Sequence, residues 1–171
     1  VVLNIQSVSF MPGYGFGAAA ATLIGQNLGA NDPVKAEKAA YEAVKLGILF
    51  MGSLGLLFLI FPEWVVQLFT NNPAVIENAQ FPLRIVGTIQ IFDAVGMVLS
   101  VALDGAGNTR WVMKAEIIVN WCIFLPLTYL LTFTFELHRY GPWLAWASYL
   151  IIFGMICWWK FREGSWKKIK I

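Results

Sequence analysis

The chain is poor in charge. Of its 171 residues only 13% are Asp, Glu, Lys or Arg, against 58% hydrophobic, whereas soluble domains carry about 25% charged residues. A soluble protein of this length has too little interior to hide that much apolar surface, so the composition excludes an ordinary globular domain and points to a bilayer. There is one histidine and there are two cysteines, both within apolar runs (Cys122 and Cys157). That leaves no disulfide framework and no metal-ligand spacing, and both cysteines read as small buried hydrophobes. No Ser-His-Asp, HExxH or CxxC arrangement occurs, and Gly105-Ala106-Gly107-Asn108 is not a phosphate loop, because no Lys-Ser or Lys-Thr follows it. The basic tail GSWKKIKI is short and carries an aromatic residue, which suits anionic lipid headgroups rather than nucleic acid. Neither an enzyme nor a nucleic-acid partner is expected.

What is present is a series of apolar runs. Hydrophobic windows place five transmembrane helices at about 1–28, 43–61, 82–103, 111–135 and 142–161, each close to the 20 or so residues that cross a bilayer core. Turn and cap signals separate them: Gly29-Ala30-Asn31-Asp32-Pro33, Asn71-Asn72-Pro73, Gly105 to Thr109, and Gly141-Pro142. Between residues 31 and 45 the alanines and valine at 36, 39, 40, 43 and 44 share one helical face. Asp32 is the expected N-cap there, with Pro33 at the first helical position. A short interfacial helix is expected at 63–69, and a helix start after Asn72-Pro73. Trp121 and Trp146 sit deeper than the other tryptophans and are expected to pack against helices. The fold class is therefore all-α integral membrane.

The chain opens on Val1 inside a membrane-helix pattern, without a charged leader or cleavage site, which reads as a fragment lacking an upstream half. Lysine and arginine are distributed unevenly. Lys35, Lys38, Lys45, Arg110, Lys114, Lys160, Arg162, Lys167, Lys168 and Lys170 follow spans one, three and five, while only Arg84 and Arg139 lie on the opposite side. The positive-inside rule then places the C-terminus in the cytoplasm and the start of the chain outside.

One carboxylate breaks the apolar pattern. Asp93 falls midway along the third span, where a charge costs at least a few kcal/mol and usually faces a cavity that binds or relays ions. The competing reading is a structural Asp hydrogen-bonded between packed helices. Gln90 lies three residues earlier, and Asn120 and Tyr149 fall at similar depth on spans four and five, as do Tyr14 and Ser53. Together these resemble a cation or proton site, with Asp93 as a possible sodium ligand. Taken singly, Gln90, Asn120 and Tyr149 equally suit interhelical hydrogen bonding. In span one, Pro12, Gly13 and Gly15 are candidates for a hinge, and close packing of small residues is the alternative.

Three stretches resemble the multidrug and toxic compound extrusion (MATE) family: PGYGFGAAAATLIGQNLGANDPVKAEKA (Pro12 to Ala39), VALDGAGNTRWVMKAEIIVNWCIFLPLTYLL (Val101 to Leu131) and the closing FREGSWKKIKI. The resemblance implies that the five spans are helices eight to twelve of a twelve-helix antiporter, most of its C-terminal bundle. It implies export of cationic and amphipathic compounds against inward sodium or protons, with no organic cofactor and with the N-terminal half of the same transporter as partner. Asp93 matches an acidic residue of the tenth helix that serves a cation site in part of the family. The other acid of that site belongs to a seventh helix that this sequence does not include. Asp104 departs from the Arg that commonly precedes Gly-Ala-Gly. A lipid-linked precursor flippase of the same superfamily, or a non-transporting membrane subunit, are the alternatives. The former is expected to have basic residues at mid-span, which this chain lacks.

Overall fold

The computed structural model describes residues 1–138 and 140–169. Arg139 and Lys170, which enter the charge asymmetry, lie outside the described residues. Those described form helices and no strand: α1 (Val2–Gly29), α2 (Pro33–Ile60), the short α3 (Pro62–Gln67), α4 (Pro73–Gly105), α5 (Thr109–Thr134) and α6 (Gly141–Glu163), followed by a 3₁₀ turn at Ser165–Lys168.

Local chemistry sets the boundaries. Asp32 caps α2 by accepting the Lys35 N–H at 3.0 Å, with Pro33 following it, and the same charged neighbour holds the Asp32 carboxyl below its ordinary range. The amphipathic segment and the second span are therefore one 28-residue helix. A single buried stripe runs along it: Ala36, Ala40, Ala43, Val44, Gly47, Met51, Gly55 and Phe58. Asn72 caps α4 in the same way, accepting from the Ala74 N–H at 3.1 Å. At 33 residues, α4 is about 50 Å long at 1.5 Å per residue and overhangs a core of roughly 30 Å.

Two wider, π-type turns interrupt α5 at Asn120–Phe124 and Leu130–Thr134. The first ends two residues before Pro126, which has no N–H to give and whose ring crowds the carbonyl four residues back, within that turn. Gly164 ends α6 with φ +75°, a left-handed cap. The chain then folds back, so that Trp166 is fully buried against Phe161, its indole N–H donating to the Phe161 carbonyl at 2.7 Å. Lys167 pairs with Glu37 of α2 at 2.7 Å.

Among the described residues four helices, α2, α4, α5 and α6, are both long and apolar enough to cross a membrane. Helix α1, the expected first span, has the length, 28 residues, while Gln6, Ser7, Ser9, Tyr14 and its glycines make it less apolar than the other four. Helix α4 is central, packed against α1, α2 and α6. Small residues set the close crossings, as is usual between membrane helices. A Cβ on Gly55 would lie 2.8 Å from the Gly87 carbonyl oxygen, and one on Gly154 would lie 2.6 Å from that of Phe92. Helix α5 packs chiefly along α6 and leaves most of its surface open. In consequence Cys122 and Trp121 are exposed, contrary to expectation, while Cys157 is buried and Trp146 half-buried.

Candidate cation site

Asp93 is 6% exposed, and what remains open faces a cavity of about 300 Å³ between α1, α4 and α6. Gln6, Ser7 and Phe10 contribute from α1, Trp146 and Tyr149 from α6. The site exists because α4 approaches both neighbours closely. On the α6 side the Gly96–Gly154 crossing lies within one turn of Asp93, with Phe153 against Gly96. Phe153 in turn stacks on Tyr149, ring centroids 5.9 Å apart and 10° from parallel. On the α1 side the Gln6 side chain, itself 6% exposed, lines the same cavity as Asp93.

The residues expected at the site divide. Asp93 and Tyr149 line the same cavity. Gln90 does not: it is 1% exposed and packs its Cβ and Cγ against Gly55 of α2, and its amide has no hydrogen-bond partner among the described residues. Three residues turn a helix by about 300°, leaving side chains roughly 60° apart. On a helix surrounded by three others, that offset sends Asp93 toward α1 and α6 but Gln90 toward α2. Asn120 is exposed on α5, as are Tyr14 on α1 and Ser53 on α2, so none of these joins Asp93.

Helix α1 continues unbroken through Pro12. Gly13 is a packing position, where a Cβ would come within 2.5 Å of the Met51 sulfur, whereas a Cβ on Gly15 would meet nothing within 4 Å. Gln6 is the residue that the linear sequence hides. Counted from Val1 it belongs to the end of a span, and nothing in its neighbours' spacing aims it at Asp93. Its one signal is that it is a long amide in the first turns of an expected membrane span, and Asn4, Ser7 and Ser9 around it blunt even that.

The cavity sets one carboxylate among the polar side chains of Gln6, Ser7 and Tyr149, with aromatic walls from Phe10 and Trp146 of the kind that attracts positive charge. Among the described residues no three His, Cys, Asp or Glu side chains gather as a transition-metal site requires. A larger groove, about 460 Å³, opens between Val1–Leu3, the start of α4 and Trp143, but no charged side chain lines it.

Comparison with known proteins places this architecture. The MatE family model matches residues 1–130. The chain is 30% identical over 166 residues to the probable multidrug resistance protein NorM of Thermotoga maritima, covering 97% of this chain and 36% of that protein. It is 34% identical over 167 residues to the multidrug resistance protein NorM of Burkholderia vietnamiensis, covering 95% and 36%. The crystal structure of the eukaryotic MATE transporter AtDTX14 superposes with a TM-score of 0.89 at 24% identity, over 98% of this chain and 38% of that one. The chain belongs to the MatE family and is an all-α membrane protein. It spans a little over a third of the length of these relatives.

Proposed function

We propose that this chain is the C-terminal part of a secondary active transporter that exports cationic or amphipathic compounds in exchange for inward sodium or protons. It works with an N-terminal half of the same transporter, in the cell membrane, with its C-terminus in the cytoplasm. One observation carries the reading: in a MatE-family chain, Asp93 is buried on the central helix and faces a cavity built by three helices. A single negative charge there is satisfied by a proton, by sodium or by a cationic compound, but by one of them at a time. Mutually exclusive occupancy of one carboxylate is the minimal chemistry of exchange. The aromatic walls add attraction for organic cations that a proton does not use. The cavity lies within this one bundle, among α1, α4 and α6, and movement of the bundle against the N-terminal half exposes it to alternate sides. Membership in a family whose named relatives are multidrug resistance proteins supports the substrate class.

The test is efflux of a fluorescent cation by the full-length transporter. Asp93→Asn keeps size and hydrogen bonding but removes charge and titration. Gradient-driven efflux falls to background while membrane insertion is normal, and Glu116→Gln, on the exposed entry to α5, has a much smaller effect. An Asp93→Asn transporter that pumps at the parent rate makes the carboxylate structural and ends this reading.

A further inference from the structure

We infer that Gln6 of α1 gives the Asp93 site its preference for sodium over the proton, its side-chain carbonyl serving as a ligand to the ion. The inference rests on the cation-site reading above and names a residue that reading does not require. Gln6 and Asp93 come from different helices, line one cavity and are both 6% exposed. A glutamine amide presents an N–H donor at one end and a carbonyl acceptor at the other, and turning it over exchanges them at almost no change in shape. With the N–H toward Asp93 it satisfies the bare carboxylate. With the carbonyl toward the cavity it supplies an oxygen beside that carboxylate.

The two coupling ions differ in what they need. A proton binds one carboxylate oxygen and requires no further ligand. Sodium is a hard cation that needs several oxygens, as other hard cations do. The cavity has few to offer. Leu3, Phe10, Trp146 and Leu150 are apolar toward it, and the Ser7 hydroxyl, which donates its proton to the Asn4 carbonyl at 2.6 Å, keeps its oxygen lone pairs as a small, short-reach contribution. With the Ser7 and Tyr149 hydroxyls, the Gln6 carbonyl is one of three neutral side-chain oxygens available to complete the Asp93 set, and of these residues it is the one buried as deeply as Asp93 itself. Removing the Gln6 oxygen therefore weakens sodium binding selectively, whereas general damage to packing lowers exchange with either ion.

The full-length transporter in proteoliposomes provides the measurement: export of a fluorescent cation driven by a sodium gradient or by a proton gradient, with the half-saturating concentration of each ion. Gln6→Met keeps the length and loses both polar atoms. It raises the half-saturating sodium concentration about tenfold, in the range seen when residues supporting a metal site are removed, and leaves the proton value within about twofold. Gln6→Glu retains an oxygen at the same reach and stays within about threefold of the parent for sodium, which also covers the case of Gln6→Met failing to insert. If Gln6→Met leaves both values unchanged while Asp93→Asn abolishes export, the inference falls and the Asp93 reading stands. It falls too if Gln6→Glu loses sodium affinity as Gln6→Met does, or if the parent shows no sodium dependence. Full export by Asp93→Asn removes both.

Discussion

Replacing Gly154 with alanine isolates the contact that builds the candidate site. The added Cβ would lie 2.6 Å from the Phe92 carbonyl oxygen, a backbone atom within α4 that has no rotamer to escape into. Restoring ordinary contact near 3.4 Å requires α4 and α6 to part by roughly 0.8 Å. In bilayer-embedded bundles, close packing rather than water exclusion holds helices together, so this gap is not recovered elsewhere. Overpacking of this kind costs about 1–3 kcal/mol. Against it, alanine is the better helix former by about 0.5–1 kcal/mol, so the midpoints of the two ranges leave a net loss of about 1 kcal/mol for Gly154→Ala. Gly15→Ala is the matched control: its Cβ meets nothing within 4 Å, so the helix term acts alone and stability is unchanged or slightly higher. Thermal unfolding of the purified full-length protein in detergent compares the two, with fluorescent-cation efflux measured in parallel. Gly154→Ala unfolds several degrees earlier and exports less, since Asp93 is the neighbour of Phe92. Equal stability of the two variants refutes the packing argument. A Gly15→Ala protein of full stability but poor export instead identifies Gly15 as a hinge.

The remaining predictions concern the two ends of the bundle. Single cysteines at Lys38 and Asn71 in a cysteine-free background report topology in intact cells: an impermeant thiol reagent labels position 71 and leaves 38 untouched, and the reverse pattern overturns the orientation drawn from lysine and arginine. At the C-terminus, Trp166→Ala lowers stability by about 3–5 kcal/mol, as expected for a fully buried aromatic. The Lys167–Glu37 pair has both side chains about 30% exposed and couples by no more than about 1 kcal/mol. A double-mutant cycle on chemical unfolding checks this, and a larger coupling means that the pair rather than the indole anchors the tail.

Much of this protein is determined locally, and local features are what a sequence displays. Apolar runs make membrane helices because backbone groups in hydrocarbon must be satisfied within the segment itself. Asp32 and Asn72 mark helix starts because capping involves residues only two or three positions away. The isolation of Asp93 in an apolar run is visible by inspection. Its companions are not. Gln90 and Asp93 share a turn of α4 yet enter different interfaces, because the helix is surrounded and a 60° offset changes the neighbour. Gln6, 87 positions away in the numbering, arrives at Asp93 only because α1 packs against α4, and Tyr149 only because Gly96 and Gly154 let α6 approach. The carboxylate belongs to the sequence; the oxygens and aromatic faces around it belong to the packing of three helices, since side chains from separate segments meet only where backbones come close enough.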